Sequence, residues 1–306
     1  MAQPTVSSSF AGTAAGFYIS AALKQANSLD YITLMENVKF KQAIQRIEGA
    51  SLITEAGCDF VPAGTLAMTE KSIEPKNLMI NLDICKSQLL SSWESLQMKA
   101  GSGAATPPAF NDYVISHIGE IIAAQTENNL WNGTGAGGTF NGFVGATTGW
   151  LLPAVDGTVV QSTASAAYSA ANIVANLQTL VADILGGTAA NILGKDDCYI
   201  YMNNKTYQFY VSAMSALNYI NMSQMNDTYQ PYFEGIKIAV VNGMVDNELV
   251  FAETSNLYAA TDLISDSTRI DILDMAKLDA SDNMRLVARY SMGTQTGVGA
   301  DIVRQS

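Results

Sequence analysis

Gly133, Gly135 and Gly138 fit the spacing G-x-G-x-x-G, which lets backbone amides approach a pyrophosphate. That chemistry requires the glycines to follow a strand and open a helix, so that the helix N-terminus faces the anion. Here they follow a helical stretch and run into FNGFVG. A turn after a long helix is the expected role, and a cytosolic α/β enzyme using the Gly133–Gly138 turn is the alternative. His117 is the only histidine, and Cys58, Cys85 and Cys198 lie far apart with no C-x-x-C, so no zinc-ligand spacing exists. Asp262 and Asp266 flank Ser265, with Asp271 and Asp274 following, but no EF-hand pattern joins them and a solvated edge is expected. No G-x-S-x-G and no P-loop is present. The sequence therefore assigns no catalytic, cofactor-binding or metal-ligating residue, and the chain is not expected to be an enzyme.

The elements that would position such chemistry are legible in outline. Residues 1–28 are small and polar with scattered aromatics, Phe10, Phe17 and Tyr18, and read as an extended arm or a disordered tail. From Asp30 to Met98 the pattern is mostly β, cut by Gly57, Pro62, Gly64 and Pro75. Leu78, Ile80, Leu82 and Ile84 alternate with other residues, the period of a strand with one buried face. Short strands with little core describe a projecting β-hairpin, or half of a small barrel. After GSGAATPP, residues 109–131 place Phe110, Val114, Ile118, Ile121, Ile122 and Leu130 near one face of a helix about 34 Å long.

A second helix is predicted over 166–185, a strand over 198–202 and a third helical stretch after it. The segments 235–244 and 247–253 read as paired strands, and 256–264 as a short helix or a strand. A long antiparallel hairpin, 269–277 with 283–298, closes the chain around the turn residues LDASDN.

Of 306 residues 48% are hydrophobic but only 14% charged. The usual charged share is about 25%, so much of the surface is neutral, as suits a protein covered by copies of itself. Net charge is −12 and the densest basic stretch is only Lys39, Lys41 and Arg46. Proteins that grip nucleic acid pair Lys and Arg with phosphates, so specific binding is not expected; an acidic wall that confines DNA without holding it is consistent. Scattered cysteines point to a reducing compartment. The N-terminal stretch lacks the basic start of a signal peptide, and no apolar run of membrane-spanning length occurs.

The order of segments resembles the major capsid proteins of tailed double-stranded DNA bacteriophages, whose α+β architecture is the Hong Kong 97-type fold. WNGTGAGGTFNGFVG (131–145) is similar to the segment after that family's spine helix. Residues 256–303 resemble its C-terminal strands, and the 40–85 region its extended loop and return strand. The resemblance implies an N-terminal arm over 1–35, an extended loop (E-loop) over 36–76 and a peripheral domain over 77–187 with its spine helix at 109–131. An axial domain over 188–263 and a return to the peripheral domain over 264–306 complete it. It implies self-assembly into hexamers and pentamers of an icosahedral capsid around DNA, in a virion assembled in the bacterial cytoplasm. Scaffolding, portal and decoration proteins are the partners implied, and no membrane. An encapsulin-like nanocompartment shell shares the fold and stands as an alternative. The loop and arm residues Phe10, Phe17, Leu52, Ile53, Phe60, Val61 and Leu66 are expected to bury against neighbouring copies. The chain carries none of the charged helical scaffolding segment with which some members begin, so a separate scaffold or none is expected. None of Lys39, Lys41 and Lys71 is matched to the family's isopeptide cross-link.

Overall fold

The computed structural model describes residues 27–50, 53, 55, 58, 64–85, 108–216, 231–262, 270–277, 280–281 and 283–306. In chain order these form β1 (Thr33–Met35), β2 (Gln42–Ala50), β3 (Thr65–Ile73), β4 (Lys76–Cys85) and helix α1 (Pro108–Asn132). Then come β5 (Val160–Ser162), α2 (Ile173–Gly186), β6 (Cys198–Met202), α3 (Asn204–Ala216), β7 (Tyr232–Phe233) and β8 (Ile236–Val240). The chain finishes with β9 (Leu249–Glu253), β10 (Leu257–Thr261), β11 (Ile270–Asp274), β12 (Asn283–Thr296) and β13 (Val303–Gln305).

Helix α1 is the helix expected over 109–131, extended by one residue at each end. Pro108 suits the first helical position, where a missing N–H costs nothing. Helix α2 starts seven residues later than its apolar periodicity suggests. Asn172 explains the delay: its Oδ1 accepts from Ser169 N at 2.8 Å and its Nδ2 donates to the Ala167 carbonyl at 2.9 Å. This local turn captures backbone groups a helix would need. Once started, α2 buries Ile173, Leu177, Leu180, Val181 and Ile184 along one face.

Strand β12 organises one sheet. Strand β4 pairs antiparallel with it over ten residues, from Lys76↔Met292 to Cys85↔Asn283. Strands β10 and β11 pair with successive stretches of β12, Thr296 to Met292 and then Ala288 to Met284, so the closing hairpin forms as predicted. The 256–264 segment resolves to strand β10, with β1 parallel beside it. The second sheet has the order β5-β13-β9-β6-β8-β7. Here one expectation is corrected: β8 and β9 do not pair with each other. Strand β6 lies between them, parallel to β8 and antiparallel to β9. CYIYM is apolar on both faces, with Ile200, Tyr201 and Met202 fully buried, and such a strand belongs in the middle of a sheet.

Two cores result. One gathers Trp131 at the end of α1 with Phe143, Leu151 and Tyr201, the Trp131 ring 5.4 Å from Phe143 and 5.5 Å from Tyr201. The other packs α2 against the six-stranded sheet. The chain's end is locked into that sheet: Arg304 Nε and Nη2 donate to both oxygens of Glu248, at 2.9 and 2.6 Å, with both side chains buried. Among the described residues no helix is long and apolar enough to cross a membrane.

Candidate assembly surface

Strands β2 and β3 form a two-stranded sheet of their own, paired antiparallel from Gln42↔Ile73 to Ala50↔Thr65. Residues opposite one another share a face, and successive residues alternate between faces. One face therefore carries the pairs Ile47/Met68, Gly49/Leu66 and Gln45/Glu70, and the other carries Arg46/Thr69, Ile44/Lys71 and Gln42/Ile73.

The two faces meet different surroundings. Ile73 is fully buried and joins Val38 and Ala260 in a small cluster, with Met35, Ile44 and Tyr258 against it. Lys71 Nζ lies 2.6 Å from Asp156 Oδ2 and 3.4 Å from Thr296 Oγ1. Gln295 Nε2 donates to the Ser72 carbonyl at 2.9 Å. Burial pushes the Asp156 carboxyl up, but hydrogen bonds from Lys71 and Thr158 outweigh it and hold the group below its ordinary range. Further out, a groove of about 740 Å³ separates the hairpin from the body, with Arg46, Thr69 and Lys71 on one wall and Lys195 and Glu253 on the other. Glu253 is likewise below its ordinary range: its own burial opposes this, and hydrogen bonds from Lys195 and Ser255 prevail.

The opposite face is mostly open to solvent, although Gln45, Ile47 and Glu70 from it also line the groove. Ile47, Leu66 and Met68 are 61%, 66% and 65% exposed, and Ile53 beyond them is 96% exposed. All of Thr65–Glu70 is exposed. Three neighbouring apolar side chains in water make this face a candidate contact surface. Of the loop and arm residues expected to seek neighbours, Ile53 and Leu66 are exposed as anticipated; Phe10, Phe17, Leu52, Phe60 and Val61 lie outside the described residues.

The glycine turn is built for a different purpose than anion binding. Gly142 N donates to Gly133 O at 2.8 Å and Gly135 N to Phe140 O at 3.2 Å, closing the loop on itself. Its carbonyls at Gly135 and Thr139 receive Lys76 Nζ at 2.7 and 3.0 Å. A loop that offers carbonyls to a cation, with no helix opening after it, lacks the amide cradle a pyrophosphate requires. His117 sits in α1, with its side chain outside the described residues. Asp262 N donates to Ser291 Oγ, and Asp274 Oδ1 accepts from Ala276 N at the end of β11. Asp271 is exposed, while Ser265 and Asp266 lie outside the described residues. Among the described residues no three His, Cys, Asp or Glu side chains converge.

Sequence reasoning missed one polar cluster. Glu127, buried within α1, accepts from Ser28 N at 3.1 Å, Ser28 Oγ at 2.5 Å and Gly243 N at 3.1 Å. Trp131 Nε1 donates to the same Ser28 Oγ at 2.6 Å. The signal was present: an acidic residue near a helix C-terminus opposes the helix dipole, and burial with three donors resolves the conflict.

No protein-family model and no curated protein sequence matches the chain. Solved structures do match across nearly its whole length. A capsid structure of the cyanophage P-SCSP1u covers 97% of this chain and 92% of its own at 13% identity, with a TM-score of 0.60. The capsid of an empty GTA particle covers 95% and 92% at 14% identity, TM-score 0.59. A structure from Mycobacterium phage Che8 covers 99% and 98% at 9% identity, TM-score 0.59. Architecture is shared where sequence is not. The fold is that of α+β capsid subunits, and within that class it is the Hong Kong 97-type fold.

Proposed function

We propose that this chain is a structural shell subunit that assembles with itself into hexamers and pentamers of an icosahedral phage capsid enclosing double-stranded DNA. One observation carries the reading: the β2–β3 hairpin presents Ile47, Leu66 and Met68 to solvent on one of its faces. A subunit that hides this face only against a copy of itself gains stability by assembling, at roughly 25 cal/mol for each Å² of apolar area covered. On this reading residues 1–35 are the arm, 36–76 the E-loop, 77–187 and 264–306 the peripheral domain and 188–263 the axial domain. The acidic charge of −12 suits a wall that confines DNA without gripping it. Scaffolding, portal and decoration proteins would be its partners, and the bacterial cytoplasm its place of assembly.

Size-exclusion chromatography and negative-stain imaging of the purified chain test the proposal. Closed particles of megadalton mass containing long DNA are expected. A stable 32.6 kDa monomer or dimer at all concentrations would overturn it, and particles filled with a cargo protein would make the chain an encapsulin-like shell instead.

A further inference from the structure

Three Asn-Gly steps occur in the chain: Asn132-Gly133, Asn141-Gly142 and Asn242-Gly243. Asparagine before glycine is chemically fragile, because with no Cβ in the way the glycine amide nitrogen can reach the asparagine side-chain carbonyl carbon. A bond then forms between the glycine N and asparagine Cγ, the Cγ–Nδ2 bond breaks, and the amide proton leaves with the side-chain nitrogen as ammonia. Water later opens the resulting cyclic imide to aspartate or isoaspartate. All three asparagines are partly exposed, so water reaches them, whereas all three glycines are buried. At Gly133 and Gly243 packing itself demands the glycine, since a Cβ would run into the Phe140 and Glu127 carbonyl oxygens. The fold thus keeps three reactive steps, and it holds the attacking nitrogen of each in a hydrogen bond. In the imide Cγ takes the place of the amide hydrogen, so an N–H already pointed at an acceptor has that place filled.

The three guards differ in kind. Gly133 N donates to Asn129 O at 3.0 Å and Gly142 N to Gly133 O at 2.8 Å, both backbone carbonyls that no side-chain rotation withdraws. Gly243 N donates to Glu127 Oε1 at 3.1 Å, and among the described residues no backbone carbonyl accepts from it. We infer that Asn242-Gly243 is a latent deamidation site, kept closed by the buried Glu127 carboxylate. Glu127 acts by position: it is far too weak a base to take the amide proton, and it holds the N–H away from Asn242 Cγ. Conversion would reach beyond the step. The Gly243 carbonyl accepts from Asn132 Nδ2 at 2.6 Å, and Asn242 N donates to Asn27 Oδ1 at 3.2 Å. An imide has no N–H for Glu127 to accept, and isoaspartate inserts a methylene into the backbone, so the joint between α1, Asn27 and the end of β8 would loosen. The site is a property of the single subunit and does not rest on the shell reading.

Peptide mapping by mass spectrometry, on the full-length chain held for weeks in mildly alkaline buffer, measures the amide-to-acid conversion at each step. In urea all three asparagines should convert. In the native chain each should convert at least about tenfold more slowly, because attack then waits on local opening. Glu127→Ala should speed Asn242 about tenfold, the factor that loss of one hydrogen bond to a charged acceptor corresponds to. It should leave Asn132 and Asn141 at their native rates, which also shows that the variant is folded. A variant that does not fold speeds all three together; Glu127→Met, similar in length and lacking the acceptor oxygens, then repeats the comparison. The inference is overturned if Asn242 converts in the native chain as fast as in urea, or no faster than native in a folded Glu127 variant.

Discussion

Ile47 and Met68 stand directly opposite each other on the β2–β3 ladder, and each is more than 60% exposed. Cross-strand apolar partners usually lie over a core; these lie over solvent. With Leu66 beside them they make the patch on which assembly is expected to depend. Ile47→Asp and Met68→Asp should leave the subunit's melting temperature nearly unchanged, because exposed positions shift stability by no more than about 0.5 kcal/mol. Both should reduce particle yield at least tenfold, since a charge is then forced into a covered apolar contact. Light scattering after mixing measures the yield, and normal shells from both variants would remove the patch from the assembly surface.

The opposite end of the same strand behaves in the reverse way. Ile73 is fully buried against Val38 and Ala260. Ile73→Ala should cost about 2–4 kcal/mol, the loss of buried methyl groups plus the cavity left behind. Urea unfolding checks it, and a loss under about 1 kcal/mol would mean that the hairpin root is loosely held.

Acid should loosen the groove. Asp156 and Glu253 both titrate below their ordinary values in the folded chain, 3.8 and 4.5 respectively, because lysine and hydroxyl donors outweigh their burial. A carboxylate with a lowered folded pKa contributes stability that is complete above its unfolded pKa and disappears as pH falls through the folded one. The stability difference between native chain and Asp156→Asn should thus be steady from pH 7 to about 5. It should fade as pH falls below the ordinary aspartate value and through the lower folded one. After solvent screening its size is below about 1 kcal/mol. A difference that grew toward acid would contradict the assignment.

Much of the fold was legible because its strongest signals are local. The apolar spacing over 109–131 marked α1 to within one residue at each end. Alternation in 78–84 and across 270–296 marked β4, β11 and β12. What failed was pairing between distant segments: β8 and β9 read as neighbours, yet β6, some forty residues upstream, lies between them. Short apolar strands state that they are buried without stating beside what. The exposed hairpin face was readable as apolar residues in a stretch too poor in core to hide them. The Lys71–Asp156 contact was not, because 85 residues separate its partners and neither carries an unusual neighbour in sequence.

The polar cluster at the end of α1 gives the sharpest test of how the body is held together. Glu127 satisfies three donors at once, Ser28 N, Ser28 Oγ and Gly243 N, in a site with almost no solvent. Glu127→Ala removes every acceptor and leaves those donors buried, at a cost of about 1–3 kcal/mol for each unsatisfied group and less where water enters the cavity. Glu127→Gln keeps the shape and one acceptor oxygen but turns the other into a donor facing a donor, so part of the loss should remain. Gly243 approaches α1 so closely that any Cβ would run into the Glu127 carbonyl oxygen, a backbone atom that cannot move aside without disturbing the helix. Gly243→Ala should therefore destabilise the chain although it removes no hydrogen bond. Thermal melts should rank native above Glu127→Gln above Glu127→Ala, with Gly243→Ala also well below native. If Glu127→Ala melted with the native chain, the carboxylate would be a passenger, and the anchoring of Ser28 to α1 would rest on Trp131 alone.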